Sequence, residues 1–252
     1  MRLLVTGAAG MLGQDVLRAG ARAGHELIAV DLPELDITNA DAVDRMLGEL
    51  RGEPGSLDAV LNCAAWTDVD AAESHEEQAR AVNVTGAAVL AQRAAAHELP
   101  LLHISTDYVF DGTAPRDEHG RPRAYVESDP TGPRSVYGAT KLEGERLVLA
   151  ASRRHAVVRT AWLYGIDGKN FVATMLRLAT ERDAVQVVTD QEGSPTWAGH
   201  LAPGLIGLLE RGVSGLTHMT GGGVVSWNGF ATEIFRQANV DCRVEPATSE
   251  EI

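Results

Sequence analysis

Short apolar or β-branched runs alternate along this chain with longer segments in which apolar residues return every three or four positions. A continuous or alternating apolar run is the mark of a strand, and a period near 3.6 marks a helix with one covered face. The strand candidates are RLLVT (2–6), ELIAV (26–30), DAVLN (58–62), PLLHIS (100–105), AVVRT (156–160) and VQVV (185–188). Helical segments fall between them at 10–22, about 40–50, 75–97 and 135–150. The third has the clearest face, because Asn83, Ala87, Leu90 and Ala94 recur at spacings of three or four. This alternation predicts an α/β chain with a parallel sheet covered by helices on both faces. Residues 111–133, DGTAPRDEHGRPRAYVESDPTGP, are dense in Pro, Gly and charge and form the one long predicted loop. A loop of that length in a compact domain usually carries function. After residue 165 the pattern is less regular, with helices expected near 168–182, 199–211 and 226–238 and a short strand at THMTG (217–221).

Composition narrows the class. The chain has 252 residues, 44% of them hydrophobic, enough for a large buried core. Its formal charge of -13 repels a phosphate backbone, and no basic run offsets this, so nucleic acid is not an expected partner. Cys63 and Cys242 lie far apart, without a CxxC or accompanying histidine spacing, so neither a disulfide framework nor a metal site is indicated. The opening MRLLVTGAAG is too soon broken by glycine for a signal peptide, and no apolar run approaches the roughly 18 residues of a membrane span. A soluble, cytoplasmic protein without a membrane partner is expected. The eight histidines are scattered, and His103, inside an apolar strand, is expected to be a core histidine.

The first strand runs into Gly7-Ala8-Ala9-Gly10-Met11-Leu12-Gly13, a GxxGxxG. Glycines there permit a tight strand-to-helix turn and close approach to a pyrophosphate, whose charge the next helix N-terminus meets. The second strand ends in Asp31, placed to accept hydrogen bonds from an adenosine ribose, which favours NAD(H) over NADP(H). The competing reading of Asp31 is an ordinary turn-capping residue before Pro33. Together these features specify a Rossmann-like, doubly wound sheet. In the segment SVYGATKLEGE, Tyr137 and Lys141 stand four apart and so share a helix face. A fixed positive charge beside a phenol favours phenolate, which would let Tyr137 exchange a proton nearer neutral pH. The compact ammonium of lysine also suits a ribose hydroxyl better than a planar guanidinium. The strand before this helix ends in Ser105-Thr106-Asp107, which puts a hydroxyl at the carboxyl edge of the sheet, where ligands bind in such folds.

GAAGMLGQ (7–14), LNCAAWTDVDAAE (61–73), HISTDYVFDG (103–112), SVYGATKLEGE (135–145), VVRTAWLYG (157–165) and VVTDQEGSPT (187–196) resemble, in order and spacing, the dTDP-4-dehydrorhamnose reductases of the extended short-chain dehydrogenase/reductases. The resemblance covers nearly the whole chain, and STDYVFDG and DQEGSPT are its most specific parts. It implies reduction of the C4 ketone of dTDP-4-dehydro-L-rhamnose by NADH or NADPH, giving dTDP-L-rhamnose for surface polysaccharide. It implies that Tyr137 protonates the oxygen, that Tyr137 and Lys141 lie at the nicotinamide ribose, and that Thr106 bonds the carbonyl. Asp107 and Trp162 fall at sugar-contacting positions, and Gln191, Ser194 and Pro195 either build the sugar pocket or form a rigid loop between lobes. Gly7, Gly10, Met11, Leu12 and Gly13 would follow the pyrophosphate, Asp36 and Ile37 the adenine, and Ala64 and Ala65 a cofactor ribose. The expected division is an NAD(P)-binding domain over 1–165, with parts of 185–215 returning to it, and a smaller C-terminal substrate-binding lobe mainly over 166–252. That lobe looks incomplete at RVEPATSEEI, and a monomer or homodimer is equally compatible with the sequence. Two other readings are a reductase of another dTDP-4-keto-6-deoxy sugar and a non-catalytic NAD(P)-binding regulatory subunit. The joint presence of Thr106, Tyr137 and Lys141 favours chemistry.

Overall fold

From Leu3 onward β1 (Arg2–Thr6) is buried at every residue, as a strand covered on both faces must be. The computed structural model describes residues 1–52 and 55–252. After β1 come α1 (Met11–Arg22), β2 (Glu26–Val30), α2 (Ala40–Gly52) and β3 (Ala59–Asn62). The next crossover is α3 (Val69–Ser74), α4 (Glu76–Arg80), a π-helical turn at Ala81–Gly86 and α5 (Ala87–Ala96), leading to β4 (Leu101–Thr106). The single helix expected at 75–97 is therefore interrupted. His75 leaves helical geometry at φ -130°, ψ 44°, and the π turn inserts where Gly86 packs so tightly on Ile37 that a Cβ would stand 2.7 Å from its Cγ1. A 3-10 turn at Asp107–Val109 and the long loop then lead to α6 (Val136–Ala151) and β5 (Ala156–Thr160).

The remaining elements are β6 (Leu163–Tyr164), α7 (Phe171–Glu181), β7 (Ala184–Val188), β8 (Glu192–Gly193), β9 (Thr196–Trp197), α8 (Ala198–Glu210), β10 (Gly215–His218), β11 (Val225–Ser226), α9 (Trp227–Ala238) and β12 (Arg243–Ala247). Among the described residues the central sheet has six strands in the order β2-β1-β3-β4-β5-β10, and every pairing is parallel. The chain leaves β1 toward β2 on one side and returns to β3 on the other. The crevice between β1 and β3 is thus the topological switch point where doubly wound sheets bind ligands. One face is covered by α1 and α8 over Leu3, Val5, Leu61 and Val158, and the other by α2, α5 and α6 over Leu4, Val60, Leu101 and Val157.

One expected strand lies elsewhere. VQVV does not join the central sheet; β7 pairs with β12 in a separate two-stranded ribbon, and the sixth central strand is β10. Burial alternates along β7 instead of being continuous, so only one of its faces is covered. A second core, built on Met175, Val185, Val187, Ala231, Ile234 and Phe235, joins that ribbon to α7 and α9. No described helix is long and apolar enough to cross a membrane.

Candidate active site

The glycine loop lies at the switch point. Gly7 has φ +67°, and a Cβ on it would stand 2.5 Å from the Ala64 amide nitrogen at the end of β3. Only glycine meets both conditions. A Cβ on Gly13 would overlap the Gly7 carbonyl, so the first turn of α1 also seats directly on the loop. Gly10 caps α1 without a side-chain hydrogen bond, and no acidic residue stands in that first turn. Its amides therefore keep unsatisfied donors pointing outward beside Met11 and Leu12, which suits an anion. The Asp31 carboxylate accepts from the Ala9 amide at 2.8 Å and the Leu32 amide at 2.8 Å. It both ties the loop to β2 and keeps lone pairs for a ligand hydroxyl. Asp36 is turned to Thr38, whose amide and hydroxyl donate to Oδ1 at 2.9 and 2.7 Å. The Ile37 side chain is core, leaving its backbone for any adenine contact.

Helix α6 is placed by close backbone approaches. Ser135 caps it by accepting from the Gly138 amide at 3.1 Å, and Glu73 of α3 accepts from the Val136 amide at 2.9 Å. A Cβ on Gly138 would overlap the Tyr108 carbonyl, and one on Gly144 would overlap the Asn83 carbonyl. The two glycines of YGATKLEG therefore let α6 lie flush on the end of β4 and on the π turn. Asn83, which the sequence pattern enlists only for its helical spacing, is a polar clamp. Its Oδ1 accepts from the Trp66 amide at 2.9 Å, and its Nδ2 donates to the Trp66 carbonyl at 3.1 Å and to Thr140 Oγ1 at 3.2 Å. Hydrogen-bonding demand was the available signal, since a lone Asn on an apolar face needs buried partners.

The seating of α6 brings half-buried Tyr137 beside Thr106, Asp107 and the Tyr108 ring, whose centroid lies 5.6 Å away. Burial pushes the Tyr137 phenol above its ordinary range; the Thr106 hydroxyl offsets part of this, and Asp107 adds to it. The expected lowering by Lys141 is not found, because the groups acting on the phenol besides burial are Thr106, Asp107 and Tyr108. Lys141 faces inward, donating to the Ile104 carbonyl at 2.7 Å and lying 3.3 Å from His103 Nε2. Burial lowers it to about 8, and the nearby Glu145 and Cys63 only partly oppose that. Asp107 is pushed up to about 6 by burial, with the Thr106 hydroxyl, donating to Oδ1 at 3.1 Å, pulling the other way. Ser105 Oγ is buried with no protein partner.

A second cluster gathers beside the second core. Trp162 adopts φ +46°, uncommon for a bulky side chain, and stacks on Trp227 at 3.4 Å and 4°. A Cβ on Gly193 would overlap the Trp162 indole, so DQEGSPT holds its glycine where that ring passes. Gln191 donates to Ser249 Oγ at 3.0 Å and lines, with Phe171, Met175, Val187, Val188 and Trp227, a cavity of about 280 Å³. Ser194 donates to the Gly223 carbonyl at 2.7 Å, and Pro195 packs its carbonyl against Gly221. Trp162 and Gln191 thus share the neighbourhood of Trp227, while Tyr137, Thr106 and Asp107 form their own group at the sheet edge.

The family model of the RmlD substrate binding domain matches residues 1–252. A dTDP-4-dehydrorhamnose reductase of Mycobacterium tuberculosis is 45% identical over 251 residues, covering 98% of this chain and 79% of its own. The chain belongs to the dTDP-4-dehydrorhamnose reductase family. Solved family structures have the same fold. A reductase from Clostridium acetobutylicum superposes with a TM-score of 0.93 at 40% identity, covering all of this chain and 85% of its own. One from Bacillus anthracis, in complex with NADP, gives 0.92 at 37% identity, covering 100% of this chain and 86% of its own. The uncapped, acid-free first turn of α1 and the Asp31 carboxylate beside it fit a nicotinamide dinucleotide. Membership in the family makes the chain an NAD(P)H-dependent oxidoreductase.

Proposed function

We propose that the chain reduces the C4 ketone of dTDP-4-dehydro-L-rhamnose, with Tyr137 as proton donor. The observation that carries this reading is the convergence of Tyr137, Thr106 and Asp107 at the carboxyl end of β4, on the same edge as the glycine loop. The first-turn amides of α1 would hold the diphosphate of the dinucleotide, Asp31 its adenosine ribose, and Lys141 the nicotinamide ribose. The reduced nicotinamide, when bound, supplies the hydride. Thr106 would orient the ketone by turning its single hydroxyl proton from Asp107 to the ketone oxygen. A phenol held above its ordinary range stays protonated at neutral pH, so Tyr137 has a proton to give as negative charge develops on that oxygen. An alkoxide is a stronger base than even this phenolate, so the transfer runs downhill. Trp162 and Gln191 would line the sugar side of the cleft, where the left-handed backbone of Trp162 is held in place by its stack.

The test is loss of reduced nicotinamide absorbance on adding freshly generated dTDP-4-dehydro-L-rhamnose. Wild-type protein turns over, and Tyr137→Phe loses roughly 10²- to 10⁴-fold in kcat, the usual share of general acid catalysis. Its cofactor Kd rises by no more than about tenfold, the worth of the one ribose hydrogen bond the phenol would make. Turnover retained in Tyr137→Phe would remove Tyr137 from the chemistry.

A further inference from the structure

Inside the sheet, beneath the site, runs a chain of polar side chains that the reduction itself does not employ. Thr6 of β1, Asn62 of β3 and His103 of β4 stand side by side in register, each 1% exposed, and Lys141 reaches them from α6 at 2% exposed. The Ala64 amide donates to Asn62 Oδ1 at 3.0 Å, and Thr6 Oγ1 donates to the same oxygen at 2.7 Å. A backbone amide can only donate, so it fixes which end of the Asn62 carboxamide is oxygen. The nitrogen end then faces His103 Nδ1 at 2.9 Å. Nδ1 must accept, which leaves the proton of the neutral ring on Nε2. Nε2 is 3.3 Å from Lys141 Nζ. An ammonium has three donors and no acceptor, so Nε2–H would meet it donor to donor. An amine has the lone pair that resolves the contact, and it still donates to the Ile104 carbonyl.

We propose that His103 is a positioning residue for Lys141: fixed by Asn62 with its proton on Nε2, it donates to Nζ whenever that side chain is the amine, and so favours the amine over the ammonium in the ligand-free protein. The charges packed around α6 permit this. Cys63 is driven to about 12 by burial and stays a neutral thiol. Glu145, one turn along, is held at 2.9 and 2.7 Å by Arg159 of β5, Arg80 of α4 is paired with Glu143 at 2.6 Å, and Glu73 of α3 accepts from the Val136 amide. Burial raises both Asp107 and Tyr108 of the following turn, Asp107 only to about 6, so where Lys141 titrates Asp107 is a carboxylate and Tyr108 a neutral phenol. Burial likewise moves Lys141 down to about 8 and His103 well below its usual range, so Lys141 loses its proton as pH rises through about 8, facing a neutral His103 ring. An amine is far cheaper to bury than an ammonium. Lys141 then takes up its proton when a ligand hydroxyl supplies an acceptor, which links cofactor binding to protonation.

This inference rests on Lys141 standing at the cofactor, but its test reads the lysine alone, so its failure leaves the reductase reading intact. The chain holds two lysines, Lys141 and Lys169, and Lys169 is exposed. Lysine labelled with ¹³C at Cε gives two signals, and Lys169→Arg identifies the remaining one. Lys141 is expected to titrate near 8, against about 10.4 for a free lysine. Long-range ¹H–¹⁵N spectra should show one ring, absent from His103→Gln, that stays neutral with its proton on Nε2. In His103→Gln an amide oxygen can accept from the ammonium, so the Lys141 titration moves up by about one unit, a tenfold change in proton affinity. Lys141 titrating alongside Lys169, a His103 ring protonated on Nδ1, or an unmoved titration in His103→Gln each overturns the proposal. If that variant does not fold, Asn62→Asp, whose carboxylate would draw the proton to Nδ1, replaces it in the comparison. The two wild-type measurements decide the matter in any case.

Discussion

At the scale of single residues, environment matters more than residue type. Asp31 is bonded to the loop amide of Ala9, and if it reads the adenosine ribose as proposed, its charge opposes an added phosphate there. Asp31→Ala is expected to shift the ratio of kcat/KM for NADPH over NADH upward by roughly tenfold, about the worth of one charge-assisted hydrogen bond. Steady-state kinetics with both cofactors measure it, and an unchanged ratio shows that Asp31 does not read the ribose. Asp107 illustrates the same point through pH. Burial raises its folded-state pKa from 3.8 to about 6, so the folded protein favours the proton. That contribution to stability is complete below 3.8 and disappears as pH rises through 6. Asp107→Asn, which cannot ionise, should therefore be more stable than wild type above pH 6 by on the order of 1–3 kcal/mol, with the gain gone near pH 4. Thermal unfolding across that range is the check, and a difference that does not vary with pH contradicts the burial argument. Of these residues, type and spacing singled out Tyr137, Lys141 and Thr106. Neither the inward turn of Lys141 nor the clamp at Asn83 was visible, because both arise from partners 37 and 17 residues distant.

At the scale of elements, α6 shows how a helix of modest amphipathicity becomes a precise mount. Its capping Ser135 is legible from sequence as a helix start. What seats it is the absence of side chains at Gly138 and Gly144, and each such absence has meaning only against the carbonyl it faces. Gly144→Ala should destabilise the protein by about 1–3 kcal/mol, the usual cost of overpacking, despite the better helix propensity of alanine. Denaturant unfolding tests this; a more stable variant would mean that α6 can move away from Asn83 without loss. The interrupted crossover from α3 to α5 has a similar origin. Its apolar spacing is continuous, but Gly86 against Ile37 and the Asn83 clamp demand a local π turn, which periodicity alone cannot register.

At the scale of the whole molecule, the second core is joined to the segment after β5 by the stack of Trp162 on Trp227. Trp227→Ala removes that stack and the wall of the cavity shared with Gln191. The expected result is a rise of roughly tenfold in KM for the sugar nucleotide, the scale of one lost aromatic contact, with KM for the cofactor within about twofold. Equal changes in both would show that the stack supports the entire fold. The alternation of β-branched runs and helical periods by itself determined the α/β class, the first five strands of the sheet and the glycine loop, because burial on two faces imposes a local pattern on each strand. It also placed Tyr137 four residues from Lys141 on one helix face. Only the tertiary structure decided that β10 rather than VQVV completes the sheet, that Trp162 stacks on Trp227, and that Lys141 turns toward His103. Those outcomes depend on which surfaces meet across long separations, and a local pattern records that a face is covered without recording what covers it.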